Sequence, residues 1–345
     1  MKVRRKTVAA LAVTITALVA VAGLAGAGSA TTGQATFLAG VVSDVGRWND
    51  KSFNALALEG CKSGAKQVGG RCRALESRAT SDYTPNLVKL QREGADIAVT
   101  VGFLLADATA TIAKRFPNSK YGIVDYSVHA PPLANKKGTP LFKNVVGLTF
   151  ATNENSYMIG CLSALMAKRD GGNTISAVGG ISLPTVTIFI AAYRAGASKC
   201  VPGTKTLIDF SQDFTDQAKC KELALNQIDR GSKVVFQVAG GCGLGALDAA
   251  KERGVWGLGV DKDQSFLGPH ILTSAVKRVD RAVSGVIVAT DLGLYPGGSD
   301  LNFNLKNKGV AVGKISPKVP KAFITRMNAI GAQIIAGKIK PPTTL

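Results

Sequence analysis

The stretch "KVVFQVAGGCGLGALDAAKERGVWGLGVDKD", residues 233–263, decides the fold. An apolar, β-branched run ("KVVFQVAGG") leads into glycines, then a helical pattern ("GALDAAKERG"), then a second apolar run ("WGLGVD"). Strand, helix and strand in so short a span make a unit of parallel sheet, because parallel strands need a crossover and a helix usually supplies it. Within it "GCGLGA" (241–246) fits G-x-G-x-x-A, and Asp261 and Asp263 follow about twenty residues later. That spacing can bring backbone N–H groups to a pyrophosphate and a carboxylate to ribose hydroxyls. Its place argues against a dinucleotide: the fingerprint usually opens its domain, whereas this loop is at least the third strand end of its half. A glycine-rich loop also lets backbone approach any small ligand, and a carboxylate after a strand can accept two sugar hydroxyls.

The alternation continues outward in both directions. Upstream lie "TFLAGVV" then "NALALEGCKSGAKQVG", "DIAVTVG" then "ADATATIAKRFP", "YGIVDY", "NVVGLTF" then "SYMIGCLSALMAKR", "TISAVGG" then "VTIFIAAYRAGASK", and "KTLIDF" then "DQAKCKELALNQIDRG". This pattern predicts an α/β protein with helices on both faces of parallel sheets. The elements exceed what one sheet holds comfortably, and the series restarts near residue 173, so two successive α/β lobes are expected. In open parallel sheets ligands gather at the carboxyl ends of strands.

Those ends are rich in polar groups and rings. "SDVGRWNDKSFN" (43–54) supplies Asp44, Asn49, Asp50, Ser52, Phe53 and Asn54 directly after an apolar run. Phe103 and Asp125 follow two later runs, and Pro184, Phe189, Gly240, Gly241 and Asp261 follow those of the second half. Phe53 reads either as a ring exposed to a flat heterocycle or as a core residue on the first turn of a helix. Of Asp50 and Ser52, one is expected to cap that helix, leaving the other free. Lys277, in "LTSAVKRVD", is either a solvated helix lysine or a cation aimed into a cleft. No nucleophile and base come together: His129 and His270 have no Ser or Cys motif beside them and G-x-S-x-G is absent.

The N-terminus "MKVRRKTVAALAVTITALVAVAGLAGAGSATT" carries Lys2, Arg4, Arg5 and Lys6, then no charge until Asp44, with small residues near position 30. This is the pattern of a secretory signal peptide over residues 1–30, with an uncleaved anchor as the alternative. No Cys follows the apolar run, so a lipid-attachment motif is absent. Formal charge is +19, and 38 basic against 23 acidic residues remain beyond the basic head. The basic residues are scattered, without the aromatic-basic alternation of nucleic-acid binders, so no nucleic-acid partner is expected and a surface facing anionic lipids or wall polymers fits better. Six Cys (61, 72, 161, 200, 220, 242) on an exported chain point to disulfides. The short-range pairings are Cys61 with Cys72 and Cys200 with Cys220, leaving Cys161 and Cys242. No CxxC spacing supports a metal, and no metal or cofactor is expected.

Six stretches in order resemble the basic membrane protein family of solute-binding proteins, which includes purine nucleoside receptors of ABC importers: "DVGRWNDKSFN", "VTVGFLLADATATIAKRFPNSKYGIVD", "NENSYMIGCLSALMAK", "VGGISLPTVTIFIAAYRAGA", "AGGCGLGALDAAKERGVWGLGVDKDQ" and "LTSAVKRVDRAV". The resemblance implies a type I periplasmic-binding-protein fold: two doubly wound α/β lobes joined by a multi-crossing hinge. One lobe spans 36–150 plus about 265–300, the other 151–264 plus about 301–345. It implies a monomer that captures a nucleoside between the lobes and delivers it to a membrane permease. Phe53 and Phe189 are similar to the rings that sandwich the base, and Asp125 with Asn49 or Asp50 to polar contacts around it. Asp44 and Asn54 belong to the same segment. Asp261 resembles the carboxylate that takes the ribose hydroxyls, Gly240 and Gly241 the backbone beside it, and Lys277 a sugar-side donor. Two departures stand out: the absent lipid-bearing Cys and the number of cysteines, with Cys242 inside the presumed ligand loop. Riboflavin is the alternative ligand. An NAD-dependent or nucleoside-acting enzyme is the alternative class, and a repressor-type regulator would need a helix-turn-helix where the signal-like segment lies.

Overall fold

The computed structural model describes residues 36–345; the expected signal segment lies outside the described residues. The chain opens with β1 (Leu38–Val42), buried at every position, as a strand covered by helices on both faces must be. α1 (Phe53–Gln67), β2 (Arg71–Leu75), α2 (Tyr83–Arg92), β3 (Ile97–Val101), α3 (Ala106–Arg115), β4 (Tyr121–Val124) and β5 (Val145–Phe150) complete a first series. A second runs through α4 (Thr152–Arg169), β6 (Thr174–Gly179), α5 (Pro184–Cys200), β7 (Lys205–Phe210), α6 (Gln217–Asp229), β8 (Ser232–Val238), α7 (Gly243–Glu252), β9 (Trp256–Asp261) and β10 (Ile271–Lys277). The chain ends with α8 (Val279–Asp291), β11 (Asp300–Phe303), β12 (Val310–Val312) and α9 (Lys321–Ile335).

Two six-stranded sheets form, in the orders β11-β5-β4-β3-β1-β2 and β12-β10-β9-β8-β6-β7. Five strands of each sheet repeat one arrangement, with the first strand of the series second from the edge. Every pairing is parallel except that of β12 with β10. In this doubly wound order the crevice lies where the connections diverge, at the carboxyl ends of β1 and β3 in one sheet and of β6 and β8 in the other. Apolar clusters fill both faces of each sheet; one contains Val41, Val99 and Val283, another Ile175, Phe236 and Leu258.

The chain passes between the lobes three times: from β5 into α4, from β10 into α8, and from β11 to β12. The second and third passages correct the expected boundaries near 265 and 301. β10 belongs to the second sheet, where its pairing with β9 continues the parallel series, and β11 closes the first sheet beside β5. Asn155 secures the hinge by donating from Nδ2 to the carbonyls of Val276 and Ala311 at 2.9 and 2.8 Å.

Three disulfides form: Cys61–Cys72, Cys161–Cys200 and Cys220–Cys242. The first is the expected pair, whereas Cys200 joins Cys161 instead of Cys220. The reason is packing: α4 lies directly on α5 and one bridge joins them, while α6 lies on α7 and the other bridge ties α6 to Cys242, the residue just before α7. No described helix is long and apolar enough to cross a membrane.

Candidate ligand-binding site

The loop between β1 and α1 builds the first wall. Asp50 accepts from the backbone N–H groups of Ser52, Asn54 and Ala55 and from the Asn54 side chain, so it satisfies the donors exposed at the start of α1. Ser52 is the residue left free, and its hydroxyl faces the other lobe, 2.9 Å from the carbonyl of Val260 and 3.1 Å from Asp261 Oδ2. Asp44 Oδ1 accepts from the N–H of Gly46 and from Asn54 Nδ2, both at 2.8 Å. Burial pushes its carboxyl up to about 6, against the pull of those two hydrogen bonds. Burial likewise raises Asp50.

Two aspartates at strand ends hold the centre. Asp125 follows β4 and Asp261 ends β9, and both take left-handed backbone, with φ of 61° and 62°. Such backbone is uncommon for a residue with a side chain, is best tolerated by Asn, Asp and Gly, and clusters at functional sites. Lys277, at the end of β10, lies between them, its Nζ 2.6 Å from Asp125 Oδ2 and 3.2 Å from Asp261 Oδ1. Burial pulls the lysine down, but the two carboxylates outweigh it and hold the ammonium above its ordinary value. The same nitrogen is 4.5 Å from the ring centre of Phe53 and 5.5 Å from that of Phe189, within cation–π range. Lys277 thus ends a buried strand and is no solvated helix lysine.

One cavity gathers these groups. Asp44, Asp50, Phe53, Asn54, Asp125, Phe189, Gly240, Gly241, Asp261 and Lys277 all line it. Asn49 does not: it is exposed, in a loop where Arg47 (φ 60°) and Lys51 (φ 53°) take left-handed backbone, while its neighbour Asp50 is buried. Neither His129 nor His270 lines the cavity. Phe189 is only 2% exposed, and its ring packs at a steep angle to Phe236.

The cavity adds residues that the sequence reading left out of the site, chiefly Phe103, Thr185 and Phe214. Phe214 sits in the loop after β7, its ring over Gly180, where an added Cβ would come within 2.3 Å of Phe214 Cε1. It meets Phe103 of the first lobe with ring centres 6.3 Å apart. The signal that marks Phe53, a ring among polar residues just past a strand, is present in "SQDFTD" as well. Three buried polar atoms among the cavity residues make no hydrogen bond to protein: Asn54 Oδ1, Thr185 Oγ1 and Asp261 Oδ1, the last paired with Lys277 by charge alone.

Residues 37–344 match the family described as "ABC transporter substrate-binding protein PnrA-like". The chain is 34% identical to the ABC transporter nucleoside-binding protein BmpA of Lactococcus lactis, over 96% of this chain and 98% of that protein. It is 30% identical to basic membrane protein A of Borreliella burgdorferi, over 79% of this chain and 78% of that one. A solute-binding protein of an ABC transporter system from Aeropyrum pernix superposes with a TM-score of 0.78 at 24% identity, covering 89% of this chain and 94% of that chain, and shares its type I periplasmic-binding fold. With the match running almost from β1 to the last residue, the chain belongs to the Bmp family of ABC transporter substrate-binding proteins.

Proposed function

We propose that the protein captures a nucleoside, of the purine class, in the cleft between its lobes and hands it to a membrane permease on the outer side of the cell. The observation that carries the reading is a cavity lined by rings from both lobes, with Asp261 Oδ1 held by the Lys277 charge alone and two buried atoms, Asn54 Oδ1 and Thr185 Oγ1, left unpartnered. Each such atom costs about 1–3 kcal/mol while it lacks a partner. A ligand with a flat base and a hydroxylated sugar answers both features. The base stacks on the rings, worth about 1–3 kcal/mol per face, and the sugar hydroxyls pair with Asp261 beside the Lys277 ammonium.

Phe53 supplies one stacking face, as the sequence suggests. Phe214 supplies the other: it is partly exposed, while Phe189 lies in the core and supports the floor. The relative in Lactococcus lactis is named as nucleoside-binding, which agrees. Three disulfides suit an oxidising, extracytoplasmic setting.

The test is calorimetric titration of residues 36–345, stripped of carried-over ligand by unfolding and refolding, with adenosine, guanosine, inosine, uridine, riboflavin and NAD. Saturable one-site binding of purine nucleosides is expected, weakened by about tenfold or more in Phe53→Ala and Phe214→Ala through the loss of one stacking face. Binding of riboflavin or NAD alone, or no binding by a folded chain, overturns the assignment.

A further inference from the structure

Cys242 holds the Phe214 loop in two ways. Its backbone N–H donates to the carbonyl of Phe214 at 2.9 Å, and its sulfur bonds to Cys220, in the first turns of the helix that follows that loop. Residues 211–216, which carry the ring, belong to neither strand nor helix. Asp213 organises the loop locally, accepting from Thr215 and Asp216 and pairing with Lys219. Those contacts lie on its exposed side and do not reach the cavity. On the cavity side, the backbone of Phe214 rests against Gly241, where an added Cβ would sit 3.3 Å from the Phe214 carbonyl oxygen.

The other two bridges differ in placement. Cys61–Cys72 joins α1 to β2 and Cys161–Cys200 joins α4 to α5, regular elements already fixed by packing. Cys220–Cys242 alone among the three joins the helix carrying the aromatic loop to the glycine turn at Gly240 and Gly241, and both of its cysteines are fully buried.

We infer that Cys220 and Cys242 are positioning residues for ligand binding: their bond keeps the Phe214 ring preset over the cavity before ligand arrives. A covalent tie removes open conformations of the loop, so less ordering entropy is lost on binding. The binding half of this inference rests on the nucleoside reading above; the loop-ordering half does not.

The experiment compares wild type with Cys220→Ala/Cys242→Ala, with Cys220→Val/Cys242→Ala to refill the vacated space if the first folds poorly, and with Cys61→Ala/Cys72→Ala as control. Amide hydrogen exchange of the ligand-free chains is expected to rise about tenfold over residues 212–219 only when the 220–242 bridge is removed, with β6 and β8 unchanged. Adenosine affinity is expected to fall by about tenfold in the same variants, with no further loss when the bridge is removed from Phe214→Ala. Unchanged exchange over 212–219, an adenosine affinity within about twofold of wild type, or full additivity with Phe214→Ala overturns the inference. If wild type ignores adenosine but binds guanosine or inosine, that nucleoside takes its place in the comparison; if it binds none of them, the nucleoside reading falls and hydrogen exchange alone decides whether the bridge orders the loop.

Discussion

Asp44 shows how burial and hydrogen bonding compete within one side chain. Two donors favour its ionised form, yet desolvation prevails and the carboxyl rises from 3.8 to about 6. A carboxyl raised in the folded state stabilises the fold fully below its unfolded value, and loses that contribution as pH rises through the folded value. For Asp44 the window therefore runs from about 4 to about 6, worth on the order of 2 kcal/mol. Urea unfolding at pH 4 and pH 7 is expected to show wild type losing about that much more stability than Asp44→Asn, whose amide oxygen can still accept from Gly46 and Asn54. Equal losses in the two proteins would show that this carboxyl does not carry the shift. Much of the cavity wall was legible at this scale, because polar residues crowded past an apolar run have few ways to be satisfied except around a cleft. Phe214 was less legible: its loop follows a half-exposed edge strand, so no strongly apolar run points to it.

At the scale of elements, glycines that suggest one chemistry turn out to serve another. "GCGLGA" matches a nucleotide fingerprint, but a Cβ on Gly243 would meet Gln237 Oε1 at 1.9 Å and one on Gly245 the Gln217 carbonyl oxygen at 1.9 Å. The spacing lets α7 close on β8 and α6, and packing alone accounts for it. The same device joins α4 and α5: Gly160 lies against the backbone of Tyr193 and Gly196 against that of Tyr157, each with an added Cβ 2.0 Å from a carbonyl oxygen. Helix propensity alone favours Gly160→Ala by about 1 kcal/mol, whereas overpacking of a close contact costs about 1–3 kcal/mol or more. Net destabilisation is therefore expected in chemical denaturation, and a more stable variant would refute the close packing of α4 on α5. Sequence periodicity identifies both helices but says nothing of which neighbour each will meet. For that reason the Cys161–Cys200 bridge could not be read in advance.

For the molecule as a whole, the repeated strand order was visible as alternation, while the crossings were harder to place. β10 carries Ser and Thr among its apolar residues and runs directly into α8, so its end reads as helix until its partners β9 and β12 are seen. The lobes meet across the cleft through few bonds. Lys262 pairs with Glu59 at 2.5 Å on the exposed rim, a kind of contact worth about 0–1 kcal/mol. Buried contacts matter more: Lys277 to Asp125, Ser52 to Val260 and Asp261, and Gln264 Nε2 to the carbonyl of Lys51 bridge the lobes inside. Lys277 cannot be removed cleanly, since that leaves two buried carboxylates facing each other. Ser52→Ala removes only a hydroxyl, weakening closure by about 1 kcal/mol, a roughly fivefold shift toward the open form. In solution scattering, ligand-free Ser52→Ala is expected to show a larger radius of gyration than wild type, and the two proteins to coincide once saturated with ligand. Its affinity should fall in proportion to the lost closed fraction, by at most about fivefold, because ligand must then close a cleft that is less often closed. If the radii agree without ligand, the Ser52 hydroxyl does not help hold the lobes together.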